Sequence, residues 1–361
     1  LFIDFEEKGI DKDAFIKGMF SYEALWLGEN ASPANPEYVL THEYMEDPYA
    51  YDEYRYTYFI PQQLSILYGF ASFEPMQDLV DAYWNVDGRT IPDKISVESR
   101  KENYSKIWNY AKDLNAVDYK AFATSPDLMK YDYMKEFKNR DSRLYATILF
   151  PFKGWHESSV GEHYYKWNPD VINKDGGESW TGFSYRKMVS LNPYKNGYYG
   201  FSDDYPTIRY AEVLLNYAEA VFERDGAISD DDLNLSLNLV RCRVNTKMPK
   251  LTNSFVSEHG LDMRTEIRRE RTIELYNEGF RLDDLKRWKT AETEMPQDIL
   301  GVKWKGTEYE TTWSKCPHPR NDDGILVLET GRKWAEKNYL FPLPKDQLQL
   351  NPNLKQNPGW E

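Results

Sequence analysis

Apolar residues recur at helical spacing in several separate stretches of this chain. In Ala14–Trp26 the side chains of Phe15, Met19, Tyr22, Leu25 and Trp26 fall on one face, and Asp11 or Asp13 can cap the start. Leu27-Gly28-Glu29-Asn30 and the following Pro33 and Pro36 stop that helix. Glu37 to Thr41 reads as a short extended piece, and the tyrosine-dense stretch Tyr44 to Tyr58 as a loop. Pro75 opens a second helix with Met76, Leu79, Val80 and Tyr83 on its apolar face, ended by the Asp87-Gly88 turn and Pro92. Leu144 to Phe150 reads as an extended run. The remainder up to residue 204 alternates glycine, aromatic and polar residues without a helical period.

Regularity returns at Tyr205-Pro206, where proline suits a helix start. Tyr210, Leu214, Tyr217, Ala218 and Val221 then share a face, and Asp225-Gly226 ends the helix. Ser229 is an N-cap candidate, with Asp230, Asp231 and Asp232 in the positive first turn. Leu233, Leu237 and Val240 continue one stripe, with Leu235 and Leu239 beside it. Two such helices joined by a short glycine turn form an antiparallel hairpin, the unit of helical-repeat proteins. A further helix follows at residues 262 to 279. Repeat units stabilise one another in stacks, so more are expected upstream. Leu1 is not a methionine and the first residues read as the middle of a fold, which predicts a processed or truncated chain; any export signal or lipid-attachment cysteine would lie upstream.

Composition narrows the classes of function. The 361 residues are 41% hydrophobic and 29% charged, with a net charge of -14, a field that repels phosphate backbones and argues against a nucleic-acid partner. No apolar run reaches the roughly 20 residues of a membrane-spanning helix. Cys242 and Cys316 do not sit in metal-ligand spacing, and their pairing does not follow from sequence. Cys316-Pro317-His318-Pro319 offers too few ligands for a metal and reads as a rigid loop. No cofactor is expected.

Glu270, Glu274 and Glu278 are four residues apart and share one helix face, with Arg268, Arg271, Arg281 and Arg287 within expected reach. As catalysts they would need a shifted pKa in a cleft. Neighbouring guanidinium groups would instead keep them ionised, so a structural ion-pair network is the preferred reading.

Four sequence blocks carry a family resemblance. Tyr205-Pro-Thr-Ile-Arg-Tyr-Ala-Glu-Val-Leu-Leu-Asn-Tyr-Ala-Glu-Ala220 is one. Ile267-Arg-Arg-Glu-Arg-Thr-Ile-Glu-Leu275, with Glu278-Gly-Phe-Arg281 and Asp284-Leu-Lys-Arg-Trp288, is the second. The ending Asn338-Tyr-Leu-Phe-Pro-Leu-Pro344 with Asn351-Pro-Asn-Leu-Lys-Gln-Asn-Pro-Gly359 is the third, and Leu79-Val-Asp-Ala-Tyr-Trp-Asn-Val-Asp-Gly-Arg89 the fourth. In their order along the chain, they resemble the SusD/RagB family over about residues 75 to 361. The resemblance implies a mainly α fold of tetratricopeptide-type helical hairpins with a loop-rich region packed against them. The parts would be the end of a helical-repeat region and a tyrosine-rich loop at 1–74, a ligand-binding insert at 75–204, hairpins at 205–290 and an irregular strap at 291–361. It also implies a non-enzymatic lipoprotein on the outer face of the outer membrane, anchored through an upstream cysteine. Such a protein captures glycans or other nutrients for a SusC-like TonB-dependent transporter.

Aromatic residues make up 16% of the chain. Sugar rings present C–H faces that stack on indole and phenol rings while polar neighbours take their hydroxyls. Trp155, His156, Tyr164, Tyr165, Trp167 and Trp180, all in the loop-rich middle, are therefore the candidate glycan-binding residues. The alternative for each is packing of loops onto the scaffold. A glycan-degrading hydrolase using two carboxylates, binding of peptides, and a helical adaptor that binds only protein are the competing readings.

Overall fold

The computed structural model describes residues 2–26, 35–42, 74–102, 132–150, 153–157, 161–165, 180–188, 205–307, 310 and 316–361. The tyrosine-rich stretch from Tyr44 to Tyr58 and the candidate Trp167 lie outside them. The α-helices are α1 (Phe5–Lys8), α2 (Lys12–Glu23), α3 (Gln77–Ala82), α4 (Ser142–Thr147), α5 (Tyr210–Asp225), α6 (Asp230–Leu235), α7 (Leu237–Arg241), α8 (Asn253–Glu258), α9 (Met263–Leu275), α10 (Arg281–Arg287), α11 (Ala291–Glu294) and α12 (Lys345–Leu350). The strands form four antiparallel pairs. These are β1 (Tyr38–His42) with β6 (Tyr205–Arg209), β2 (Ile148–Leu149) with β5 (Ser184–Tyr185), β3 (Gly154–Glu157) with β4 (Gly161–Tyr164), and β7 (Ile299–Lys303) with β8 (Ile325–Glu329).

Local chemistry sets several boundaries as the sequence predicts. The Asp11 carboxylate accepts Ala14 N–H at 2.8 Å at the start of α2. Gly226, at φ 71°, closes α5 in a left-handed cap that only glycine enters freely. Ser229 Oγ accepts Asp232 N–H at 3.0 Å at the start of α6.

Other expectations need correction. Leu144 to Phe150 is helical first, with α4 capped by Asp141, and extended only at Ile148–Leu149. Every residue from Ser142 to Phe150 is buried, so an apolar run carries no period to choose between the two. The helix predicted at Pro206 starts at Tyr210. Tyr205–Arg209 is a strand instead, with Pro206 opposite Thr41 of β1. The apolar face of α5 is turned from the predicted one. Ala211, Leu214, Leu215 and Ala218 are buried, whereas Tyr210 and Tyr217 stay exposed. The Leu233–Val240 stripe is buried as expected, but the helix breaks at buried Ser236, whose hydroxyl bonds the Asp232 carbonyl one turn back. Strands β7 and β8 lie in the region expected to be irregular. The C-terminal strap is interrupted by α12, and Gln356 ties it down by bonding both Leu343 N–H and C=O.

Two apolar clusters form the core. One gathers α2, α3, α4, β2, β5 and the strands β7 and β8, and the other packs α5, α6, α7 and α9. Helix α9 borders both, contributing Ile273 to the first and Ile267 and Leu275 to the second. Its Glu270 and Glu274 are buried between them; the helix ends at Leu275 and not near 279, so Glu278 is buried just past its end instead of on the expected shared helix face.

The cations for these glutamates come from other elements than the sequence suggested. Arg143 of α4 reaches Glu270 at 2.8 Å and Glu274 at 3.4 Å. Arg209 of β6 reaches Glu274 at 2.8 Å and Glu278 at 2.7 Å. Arg241 pairs with Glu270 and Arg243 with Glu274. Lys187 donates to Glu278 at 2.5 Å and to the carbonyls of Glu274 and Tyr276. Glu37 and Asp141 complete the set through Arg209 and Arg143, giving five carboxylates against five cations.

The arginines nearest in sequence sit off the glutamate face, because each residue turns the helix by about 100°. Arg271 and Arg287 pair with Asp284, Arg287 also with Glu219, Arg268 with Glu223 and Arg281 with Glu294. Burial alone pushes the Glu274 carboxyl up, but Arg243, Arg209 and Arg143 outweigh it and hold it at about 2. Glu278 is likewise lowered, by Arg209 and Lys187 against its burial.

Both folded pKa values lie below the ordinary 4.5, so their contribution to stability is complete above pH 4.5 and is lost as pH falls towards 2. A urea midpoint that is flat above pH 4.5 and drops below it is the expected result; a midpoint insensitive to acid would contradict it. Glu274→Gln leaves Arg143, Arg209 and Arg243 with an excess of buried positive charge and should lower unfolding free energy by about 3–5 kcal/mol. Denaturation at neutral pH measures this directly.

Candidate functional site

The loop-rich middle is organised by what roots it in the core. At the base of the β3–β4 hairpin, Lys153 N–H bonds the Phe150 carbonyl at 2.9 Å, and Tyr165 N–H bonds the Lys153 carbonyl at 2.9 Å. Tyr165 has 0% exposure, packs in the first cluster, and its hydroxyl accepts the Ser184 hydroxyl at 3.4 Å. Its candidacy as a sugar-stacking ring is therefore corrected: it anchors the hairpin and offers no surface. Between the two roots, the register sets Trp155 opposite His163, His156 opposite Glu162, and Tyr164 opposite Gly154.

Trp180 is the candidate with described, exposed aromatic surface, at 37% exposure. Its position is fixed from two sides. The Glu74 carboxylate accepts Trp180 N–H at 2.9 Å and Thr181 N–H at 2.7 Å, one on each oxygen. On the other side the Thr181 carbonyl accepts Val302 N–H at 2.6 Å. Gly182, at φ 84°, packs so closely on Val302 that a Cβ would come within 2.7 Å of it. The indole meets the His318 ring edge-on, with centroids 5.0 Å apart and planes at 84°. Partial burial and the Arg320 guanidinium lower the His318 pKa, which favours the neutral ring. The sequence placed Trp180 and His318 in separate irregular stretches and gave no sign that they meet.

Glu74 also lines a cleft of about 820 Å³ between α3, α9 and α10, with Met76, Asp78, Arg268, Arg281 and Trp288 around it. Glu74 thus joins the Trp180 segment to this cleft. Glu274 and Glu278 lie elsewhere, in the interior, where their cationic partners hold both carboxyls below the usual range, unsuited to proton donation. Among the described residues there is no cluster of three or more histidine, cysteine, aspartate or glutamate side chains placed to hold a metal, and Cys242 and Cys316 are free thiols. No described helix is long and apolar enough to cross a membrane.

The sequence matches the SusD family profile over residues 36–360. The chain belongs to the SusD family. No curated protein matches it. Among solved structures, a SusD-like protein from Bacteroides fragilis is 22% identical, with a TM-score of 0.66 over 94% of this chain and 57% of its own. A SusD-like carbohydrate-binding protein from the same species is 23% identical, with a TM-score of 0.65 over 92% of this chain and 57% of its own. This SusD-family chain therefore shares their mainly α fold and spans a little over half their length. At such identity the likeness concerns the fold, and the residues around Trp180 must be judged on their own geometry.

Removing the Glu74 carboxylate tests what holds Trp180. Glu74→Ala should speed hydrogen exchange at the Trp180 and Thr181 amides by about tenfold or more, the loss expected for hydrogen bonds to a charged acceptor. Unchanged exchange would mean that the Val302 side alone fixes the segment.

Proposed function

We propose that this SusD-family chain binds oligo- or polysaccharide at the cell surface and passes it to a SusC-like TonB-dependent transporter, without catalysis. The observation that carries this reading is the Trp180 indole, a partly exposed aromatic surface fixed by Glu74 and edged by His318. A preorganised ring loses little conformational freedom on stacking against a sugar, and polar neighbours can take the hydroxyls. Trp155, His156 and Tyr164 on the β3–β4 ribbon, together with Trp167, are proposed to extend the surface along a longer glycan. The fold shared with a carbohydrate-binding relative supports the same reading. On this proposal the protein sits on the extracellular face of the outer membrane through a lipid anchor upstream of Leu1.

Calorimetric titration against α-glucans, β-glucans and mannans tests the ligand class. One of these should bind, Trp180→Ala should weaken it by about tenfold or more, and Tyr165→Phe should leave it unchanged. Reducing-sugar release from the bound glycan should stay at background. Binding by none of them, or affinity indifferent to Trp180→Ala, would remove the proposed site; turnover abolished by one carboxylate substitution would make the protein a hydrolase.

A further inference from the structure

The cleft beside Glu74 has a chemistry different from that of the Trp180 surface. Its size falls in the range of small-molecule sites. The chain entering and forming α3 contributes Glu74, Asp78 and Asp81, with no basic residue from Glu74 to Ala82. Across the cleft, α9 and α10 contribute Arg268, Arg269, Arg271 and Arg281, with Asp284 and Glu294 beside them.

Pairing within each wall is loose at the residues that matter here. Among the described residues Asp78 makes no hydrogen bond or ion pair, whereas Asp81 accepts only the Gln77 amide. Partial burial and the neighbouring Asp81 and Glu294 push the Asp78 carboxyl up, a strain that an incoming cation would relieve. On the basic wall, Arg268 reaches Glu223 only at 3.5 Å, and its Nε is buried without a partner. Arg281 donates to the Thr272 hydroxyl at 2.9 Å and stands 3.9 Å from Glu294, at the edge of ion-pair distance. Arg271, by contrast, is engaged by Asp284 at 2.7 Å.

Stacking of a sugar is disfavoured here. The large ring of the cleft, Trp288, carries guanidinium groups of Arg268, Arg287 and Arg281 at 4.9, 5.1 and 5.9 Å from its centroid. Its π surface is thus already used. A polyanion would meet the carboxylates of α3, and a bare cation the arginines. A ligand with both signs satisfies both walls.

We infer that this cleft is a second binding site, separate from the Trp180 surface, for a dipolar ligand with an ammonium group at one end and a carboxylate at the other. The ammonium lies against Asp78 and Asp81, and the carboxylate takes the guanidinium donors of Arg268 and Arg281. Leu79, Leu275 and Leu285 line the space between. A free amino acid and a short peptide share this chemistry and differ in how far apart they hold the two charges.

Calorimetric titration of the full chain with alanine, trialanine and pentaalanine tests the site and measures its span. At least one should bind, and its N-acetylated and C-amidated forms should each bind at least about tenfold more weakly. Asp78→Asn and Arg281→Gln should each weaken binding similarly while leaving the melting temperature within about 2 °C, since neither side chain holds the core. Trp180→Ala should leave it unchanged, which separates this site from the proposed glycan surface. Blocked forms that bind as well as the free ones, no binding by any of the three, or loss of binding in Trp180→Ala would each overturn the assignment.

Discussion

Burying charge is permitted only where every charge finds its opposite, and the α9 glutamates impose that condition on half the molecule. Each cation arrives from a different element: α4, the turn after β5, β6, α7 and the residues just beyond it. A wrong register in any of them would strand a carboxylate or a guanidinium in the dry interior. An unpaired buried charge costs several kcal/mol, a large share of the stability of a typical domain. Apolar side chains of equal volume often pack with similar energy in place of a buried ion-pair network. What they would lack is the demand for particular partners. The two apolar clusters are held in a fixed relation on either side of α9 for that reason.

The scaffold was legible in the sequence where its causes are local. Asp11, Ser229 and Gly226 act within a few residues of themselves, and the helix ends they cap follow from the sequence. Errors arose where the deciding contact lies far along the chain. Pro206 has the look of a helix start until Tyr205–Arg209 is paired with Tyr38–His42. The run from Leu144 to Phe150 is buried on every side, and a uniformly apolar segment does not announce its period. The glutamate stripe and its structural role were visible, yet its partners were not, since Arg143 and Glu274 are separated by 131 positions. Helical geometry alone could have excluded Arg268 and Arg271 as partners of that stripe.

The candidate site was less legible than the scaffold. Composition singled out Tyr165 along with its neighbours because both a buried anchor and an exposed platform use the same rings. Only burial separates them. Trp180 gains its setting from Glu74, Val302 and His318, three residues that no spacing rule connects to it. The cleft was invisible for a related reason: its acidic wall and its basic wall come from segments nearly 190 residues apart, and each alone looks like an ordinary solvated helix face.

The hairpin of β3 and β4 leaves and re-enters the core at Lys153 and Tyr165, which are joined by a backbone hydrogen bond. Its closure is therefore settled at the root. Beyond a closed root, extra residues cost little, since loop entropy grows only with the logarithm of length. The ribbon behaves as a cassette: it can be exchanged or lengthened without disturbing the charge network beneath. A scaffold this exacting in its interior and this permissive at one hairpin lends itself to diversification, in nature or by grafting, with new surfaces displayed on an unchanged body.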